Sequence, residues 1–247
     1  MKNKIIPALF ALPLLATSAS AAITLNGVDL IDEDAAVAGV QATRSSNELR
    51  EQNLTITGVG DVFTYDNAGN SAVIGGNGGG AFNTTIDVSN GSFIAQGLDN
   101  FFLGNSSGDS NVFTVTGGSV LFDSNLGIGR DESTGNLLTI SGGTVNITGT
   151  LSFDVPGNVN DLDDAADGTL DFTAGSTGSL TVTGLDAAAY EAFYDAGDLT
   201  FAGANTETFS DVFQVSGNTL SLVAVPEPSS TALLGLGGLA LILRRRK

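Results

Sequence analysis

The chain predicts an all-β fold: a parallel β-solenoid of repeats about 25 residues long, closed by a short C-terminal helix. Three observations carry that reading. An apolar–polar alternation rich in β-branched residues recurs at a fixed spacing, so that Gly118 returns as Gly143 and Ile128 as Phe153, each 25 positions on (143 − 118 and 153 − 128). The alternation breaks at Gly-Gly or Asn-Gly, where a chain turns a corner. The 33 glycines are spread through the body and do not gather in one linker. A repeat of 20 to 50 residues marks a solenoid, because one coil cannot bury its apolar face without a neighbour. A β-sandwich of short strands is the alternative class.

Residues 53–184 hold the repeats. The units begin at Leu54-Thr55-Ile56, Ile86-Asp87-Val88, Val112-Phe113-Thr114-Val115, Leu137-Leu138-Thr139-Ile140 and Leu170-Asp171-Phe172. Each continues into a second strand, such as Ser119-Val120-Leu121-Phe122 or Thr144-Val145-Asn146-Ile147, and most into a third, such as Leu126-Gly127-Ile128 or Leu151-Ser152-Phe153. Stacking such coils at ~4.8 Å pools Ile, Val, Leu and Phe into one column. Polar stretches of unequal length, Asn77–Gly80, Asn105–Asn111, Arg130–Asn136 and Asp154–Gly168, separate the units and are expected along one edge. The pattern resembles the β-strand repeats of autotransporter passenger domains and of pectate-lyase-like β-helices.

Ahead of the repeats, Met1-Lys2-Asn3-Lys4 is a basic n-region, Ile5–Ala16 an apolar h-region, and Ala19-Ser20-Ala21 an A-x-A cleavage site. Residues 1–21 therefore read as a signal peptide, cut between Ala21 and Ala22. Residues 22–52, acidic from Asp29 to Glu51, are expected to cap the first coil. Residues 185–224 are expected to cap the last. There Leu185, Ala189, Tyr190, Phe193 and Tyr194 follow helical spacing over Asp186–Ala196, with closing strands at Leu199–Phe201, Phe209–Val215 and Thr219–Val223. Tyr190 and Tyr194 read as packing residues and not as a sugar-stacking platform.

Residues 225–247 form a distinct tail. Val225-Pro226-Glu227-Pro228-Ser229-Ser230 opens an apolar run from Thr231 to Leu243, and Arg244-Arg245-Arg246-Lys247 ends it. Thirteen residues at ~1.5 Å rise give roughly 20 Å of helix against a hydrocarbon core of ~30 Å, and Gly235, Gly237 and Gly238 weaken it further. The terminal cations favour the cytoplasmic side. A short transmembrane segment of this kind suits a temporary tether. The triplet, the spacing and the Arg cluster together resemble the PEP-CTERM sorting tail, which a membrane protease-transpeptidase called exosortase reads in Gram-negative bacteria that make exopolysaccharide. The resemblance implies that Pro226, Glu227 and Pro228, with Arg244, Arg245 and Arg246 as the stop, are recognised by the processing enzyme. It further implies transient anchoring in the inner membrane, then delivery to the cell surface or extracellular matrix.

Composition restricts what the body does. Between Ala22 and Pro228 three cations, Arg44, Arg50 and Arg130, face all 27 acids, a net charge of −24. Such a surface repels nucleic acid and anionic lipid, and it keeps an exported protein soluble. There is no Cys and no His, which excludes disulfides, thiolate chemistry, His-ligated zinc and the Ser-His-Asp arrangement. Lysine is missing from the same span, which removes Schiff-base and Ser-Lys mechanisms.

Two loops merit attention as sites. Asp161, Asp163, Asp164 and Asp167, between Asn158, Asn160 and Gly168, form the densest acidic cluster. Calcium prefers such oxygen ligands, but the spacing is not that of an EF-hand, and a solvated loop is the default. Arg130-Asp131-Glu132 lies beside the best repeat. The pectate-lyase likeness implies an arginine base with carboxylate-held calcium, whereas a lone arginine among acids ordinarily makes an exposed ion pair worth at most ~1 kcal/mol. Asn53, Asn83, Asn105 and Asn146 each open a glycosylation sequon. A glycosidase needs paired carboxylates in an aromatic-lined cleft, and the chain has no tryptophan. The expectation is an exported, non-enzymatic structural protein with no required cofactor. Its partners are the Sec translocon, signal peptidase, exosortase and exopolysaccharide, with no nucleic acid. A glycan-binding adhesin and a carbohydrate-active lyase or hydrolase are the alternatives.

Overall fold

A computed structural model describes residues 23–25, 28–30, 41–44, 48–49, 53–74, 83–104, 110–130, 135–155 and 168–223. Four short strands come first: β1 (Ile23–Leu25), β2 (Val28–Leu30), β3 (Gln41–Arg44) and β4 (Glu48–Leu49). The coils follow in order. The first is β5 (Asn53–Ile56) and β6 (Val62–Ile74), the second β7 (Thr85–Val88) and β8 (Ser92–Leu103). The third is β9 (Val112–Val115), β10 (Ser119–Phe122) and β11 (Asn125–Arg130). The fourth is β12 (Asn136–Ile140), β13 (Thr144–Ile147) and β14 (Leu151–Val155). The chain closes with β15 (Gly168–Phe172), β16 (Ser179–Val182), α1 (Ala187–Ala196), β17 (Leu199–Phe201), α2 (Phe209–Val212), β18 (Phe213–Ser216) and β19 (Thr219–Leu222).

The strands stack coil on coil in parallel, making a three-sided solenoid of about four turns, as the repeat predicts. The first side runs β5, β7, β9, β12, β15, β17. The second and third sides share one sheet because β8 turns the corner between them. Its Ser92–Ala95 half pairs with β10 and its Asn100–Leu103 half with β11. The long β6 makes the same bend, with register shifts between Asp66 and Ala72. Residue for residue, Ser119 lies beside Thr144 and Ile128 beside Phe153, the 25-residue offset seen in the sequence. At the other end, β1 pairs antiparallel with β5 and β2, while β3 and β4 lie parallel on β6.

Period-two alternation places every second side chain inside. Leu54, Ile86, Phe113, Leu138, Leu170 and Leu199 form one buried column, and Phe63, Phe93, Val120, Val145, Leu180 and Leu220 another. Phe93 sits at the centre, its ring 5.1 Å from Phe113, 5.8 Å from Phe63 and 6.0 Å from Phe101. Each such side chain contributes about 1.5–3 kcal/mol by leaving water. The interior is thus a filled core. In the third and fourth coils the corner between the first two sides is tight and is built of paired glycines. Gly118 and Gly143 share a φ of +69°, and a Cβ on Gly142 would strike the Thr116 carbonyl oxygen of the coil beneath.

The C-terminal segment covers the last coil. Along the chain α1 takes the place where a third-side strand would continue the stack, and Phe193 packs its ring 5.0 Å from Phe153 of β14. The Asp186 side chain caps the helix, accepting the Ala189 N–H at 3.0 Å. β19 then runs antiparallel between β16 and β18. One expected strand, Phe209–Val215, departs from its reading: its first four residues are α2. Phe209, Val212 and Phe213 repeat at i, i+3, i+4, which is helical spacing. The turn brings Phe209 to 5.8 Å from Tyr194 and 5.4 Å from Phe213.

Candidate functional site

The strand ends that flank the unequal loops line one edge. Ile74, Leu103, Ile128 and Phe153, near the ends of the third-side strands, stand in register, and so do Asn53, Thr85, Val112, Leu137 and Thr169 where the first side begins. The described residues that flank 75–82, 105–109, 131–134 and 156–167 therefore lie at the same corner.

A buried polar ladder builds that corner. The Thr84 N–H donates to Asn111 Oδ1 at 3.0 Å. Asn111 in turn donates from its N–H and its Nδ2 to Asn136 Oδ1, at 3.2 and 2.9 Å. All three residues are buried, and Gly168 follows Asn136 in register. Each coil thereby satisfies the preceding one's donors, which unpaired would cost about 1–3 kcal/mol apiece. Sequence reasoning placed Asn111 and Asn136 in loops. Their 25-residue spacing ahead of Val112 and Leu137 was the available signal.

Arg130 reaches back one coil. Its guanidinium carbon lies 4.8 Å from the centroid of the Phe102 ring, a cation–π contact on the outside of the third side. Its neighbours Asp131 and Glu132 lie outside the described residues, as do the calcium candidates Asp161, Asp163, Asp164 and Asp167. Among the described residues there is no group of three or more acidic side chains placed to hold a metal ion. Of the sequon asparagines, Asn53 and Asn83 are exposed and Asn146 is half-buried, while Asn105 lies outside the described residues.

The two cap tyrosines are packing residues, as expected. The Tyr190 hydroxyl donates to the Asn218 carbonyl at 2.9 Å and accepts the Val182 N–H at 3.2 Å. Burial pushes its phenol up to about 12, against a smaller lowering by the Val182 hydrogen bond. Tyr194 donates to the Glu207 carbonyl at 3.1 Å, and burial raises its phenol as well. Buried Asp171 pins the following turn, accepting from Thr200 Oγ1 and the Gly203 N–H, both at 2.8 Å.

The body thus ends as a covered β-solenoid whose final strand leads directly into the tail, the arrangement of a folded cargo with a C-terminal address. The address is specific: residues 224–247 match the PEP-CTERM protein-sorting motif. Pro226, Glu227, Pro228, Arg244, Arg245 and Arg246 all fall within the match and outside the described residues, as do the signal-peptide residues Ala21 and Ala22. The motif is a sorting signal for exosortase and marks an exported protein sorted to the cell surface. Among the described residues no helix is long and apolar enough to cross a membrane. No curated protein and no solved structure gives a match to the chain, so the likeness of the body to autotransporter passengers rests on its strand pattern alone.

Proposed function

We propose that the chain is a non-enzymatic structural protein of the cell surface or extracellular matrix. The Sec translocon exports it, signal peptidase trims it after Ala21, and the tail tethers it briefly in the inner membrane of a Gram-negative cell. Exosortase then processes it, and the product associates with exopolysaccharide or biofilm. The observation that carries this reading is the sorting motif joined without a spacer domain to a solenoid with a filled, aromatic-packed core. A stiff rod of stacked coils is material suited to a matrix.

Replacing Pro226, Glu227 and Pro228 with alanine is the direct test. The expected outcome is full-length protein retained in the inner-membrane fraction, and unchanged processing would reject the sorting half of the proposal. For the body, incubation with polyuronates and neutral glycans is expected to release no oligosaccharide.

One observation favours a second reading, a glycan-binding adhesin. The strand ends flanking all four variable stretches lie on a single edge, where a rigid scaffold presents binding loops. A glycan array probed with the mature protein separates the two: a defined glycan hit supports the adhesin.

A further inference from the structure

The second side of the solenoid presents two rows of outward side chains without a charge, on a strongly anionic protein. Its strands β6, β8, β10, β13, β16 and β19 lie side by side, and at ~4.8 Å per strand they extend about 24 Å along the solenoid. From β8 to β16 one outward row, Ser92 to Ser179, bears a hydroxyl in every coil, and the row beside it is Ile94, Leu121, Asn146 and Thr181. These side chains are half-buried or exposed. β6 and β19 extend both rows, again with no charged residue. The hydroxyls are held across coils, Ser92 to Ser119 and Thr181 to Thr219, each pair at 2.8 Å. The Asn146 amide has no hydrogen-bond partner among the described residues. Charge returns only in the next row, at the corner toward the third side, with Asp66 and Asp123.

A wetted face that excludes charge, on a chain with a net −24 between Ala22 and Pro228, has the composition of an interface core with a charged rim. Charge also decides the partner. A polyuronate, a nucleic acid or a second copy of the chain brings more negative charge to the Asp66–Asp123 rim. The hydroxyl rows moreover give a second copy little apolar area to bury. A neutral polysaccharide brings no charge. Its ring C–H groups pack on Ile94 and Leu121, and its hydroxyls exchange hydrogen bonds with Ser119, Asn146 and Thr181. One such contact per coil is weak, but a polymer laid along the solenoid makes several at once, on side chains already ordered. We infer that the second side binds an extended, uncharged polysaccharide running across the coils. The inference rests on the matrix reading above, and adds to it the face and the class of polymer.

Retention of the mature protein, recovered from its producing cell, on cellulose, mannan and dextran beads tests it, with polygalacturonate as the anionic probe. The expected result is retention on at least one neutral polymer, unchanged by added salt, and none on polygalacturonate. Asn146→Asp keeps the side chain's size and sets a charge on the face, so retention is expected to weaken about tenfold, whereas Thr139→Asp, on the first side of the same coil, leaves it within about twofold. Melting followed by circular dichroism checks that both variants fold; if Asn146→Asp melts early, Thr144→Glu at the exposed neighbouring position repeats the test. Retention on no neutral polymer overturns the inference. So does retention indifferent to a folded face variant, which places the contact elsewhere, and so does a dimer that Asn146→Asp dissociates, which gives the face to a second copy. Co-fractionation with the producing cell's own matrix reads the structural role separately. Protein found there but held by no neutral polymer overturns this inference alone, and protein absent from the matrix removes the reading beneath it.

Discussion

Tyr190 gives the cap a measurable response to alkali. Its phenol is held neutral to about pH 12 in the folded chain, whereas an unfolded tyrosine ionises near 10. Below pH 10 both states keep the proton and stability is full. Between pH 10 and 12 the unfolded chain releases a proton that the folded chain retains, so stability falls as pH rises and levels off above 12. At about 1.4 kcal/mol per pH unit the loss from this one group is of the order of 2–3 kcal/mol. Tyr194 shifts in the same direction and adds to it. No Cys or Lys lies between Ala22 and Pro228 and arginine titrates higher, so the side chains that titrate in this window are the three tyrosines, and comparison with Tyr190→Phe isolates Tyr190 from the other two. Urea titrations followed by circular dichroism at pH 8, 10, 11 and 12 read the effect in mature wild type and in Tyr190→Phe. The variant is expected to lose about 1 kcal/mol at pH 8, for the hydrogen bond to Asn218, and then to decline more shallowly, so that the two curves cross near pH 11 and the variant is the more stable by about 1 kcal/mol at pH 12. A decline as steep in Tyr190→Phe as in wild type would refute the assignment.

The corner glycines separate strain from collision. Gly143→Ala meets the positive φ and also the backbone of Gly117 and Gly118, so it is expected to cost more than 2 kcal/mol in urea unfolding; Gly175→Ala, with φ +75° and open space around it, is expected to cost only about 1. Asn136→Ala leaves two buried Asn111 donors unpaired, and a loss of about 2–4 kcal/mol is expected by the same measurement. EDTA is expected to leave the melting temperature unchanged, and a fall would assign a calcium site to Asp161, Asp163, Asp164 and Asp167.

The coils were readable because their information is local and repeated. Ser119 beside Thr144 and Ile128 beside Phe153 follow from alternation plus one offset. The cap helix was readable from Tyr190 and Tyr194, four residues apart on one face. The buried polar ladder was not, since an asparagine in a turn and an asparagine donating to the next coil look alike until the coils are stacked. Nor was α2, whose four residues are too few to outweigh the strand-forming Phe and Val around them. The Arg130–Phe102 contact crosses from one coil to the preceding one, a distance that composition does not encode. The sorting tail needs no stacking at all: it is a linear word, and its residues are legible as such.

Because the coils repeat in register, the interval from Gly118 to Gly142 amounts to an exchangeable module. Excising it would join Gly117 to Gly143 and shorten the molecule by about 4.8 Å, the strand spacing, while both extremities keep their own partners. Duplicating it would lengthen the molecule by the same increment. The length of the molecule is therefore adjustable in unit steps, with the address at the end carried along untouched.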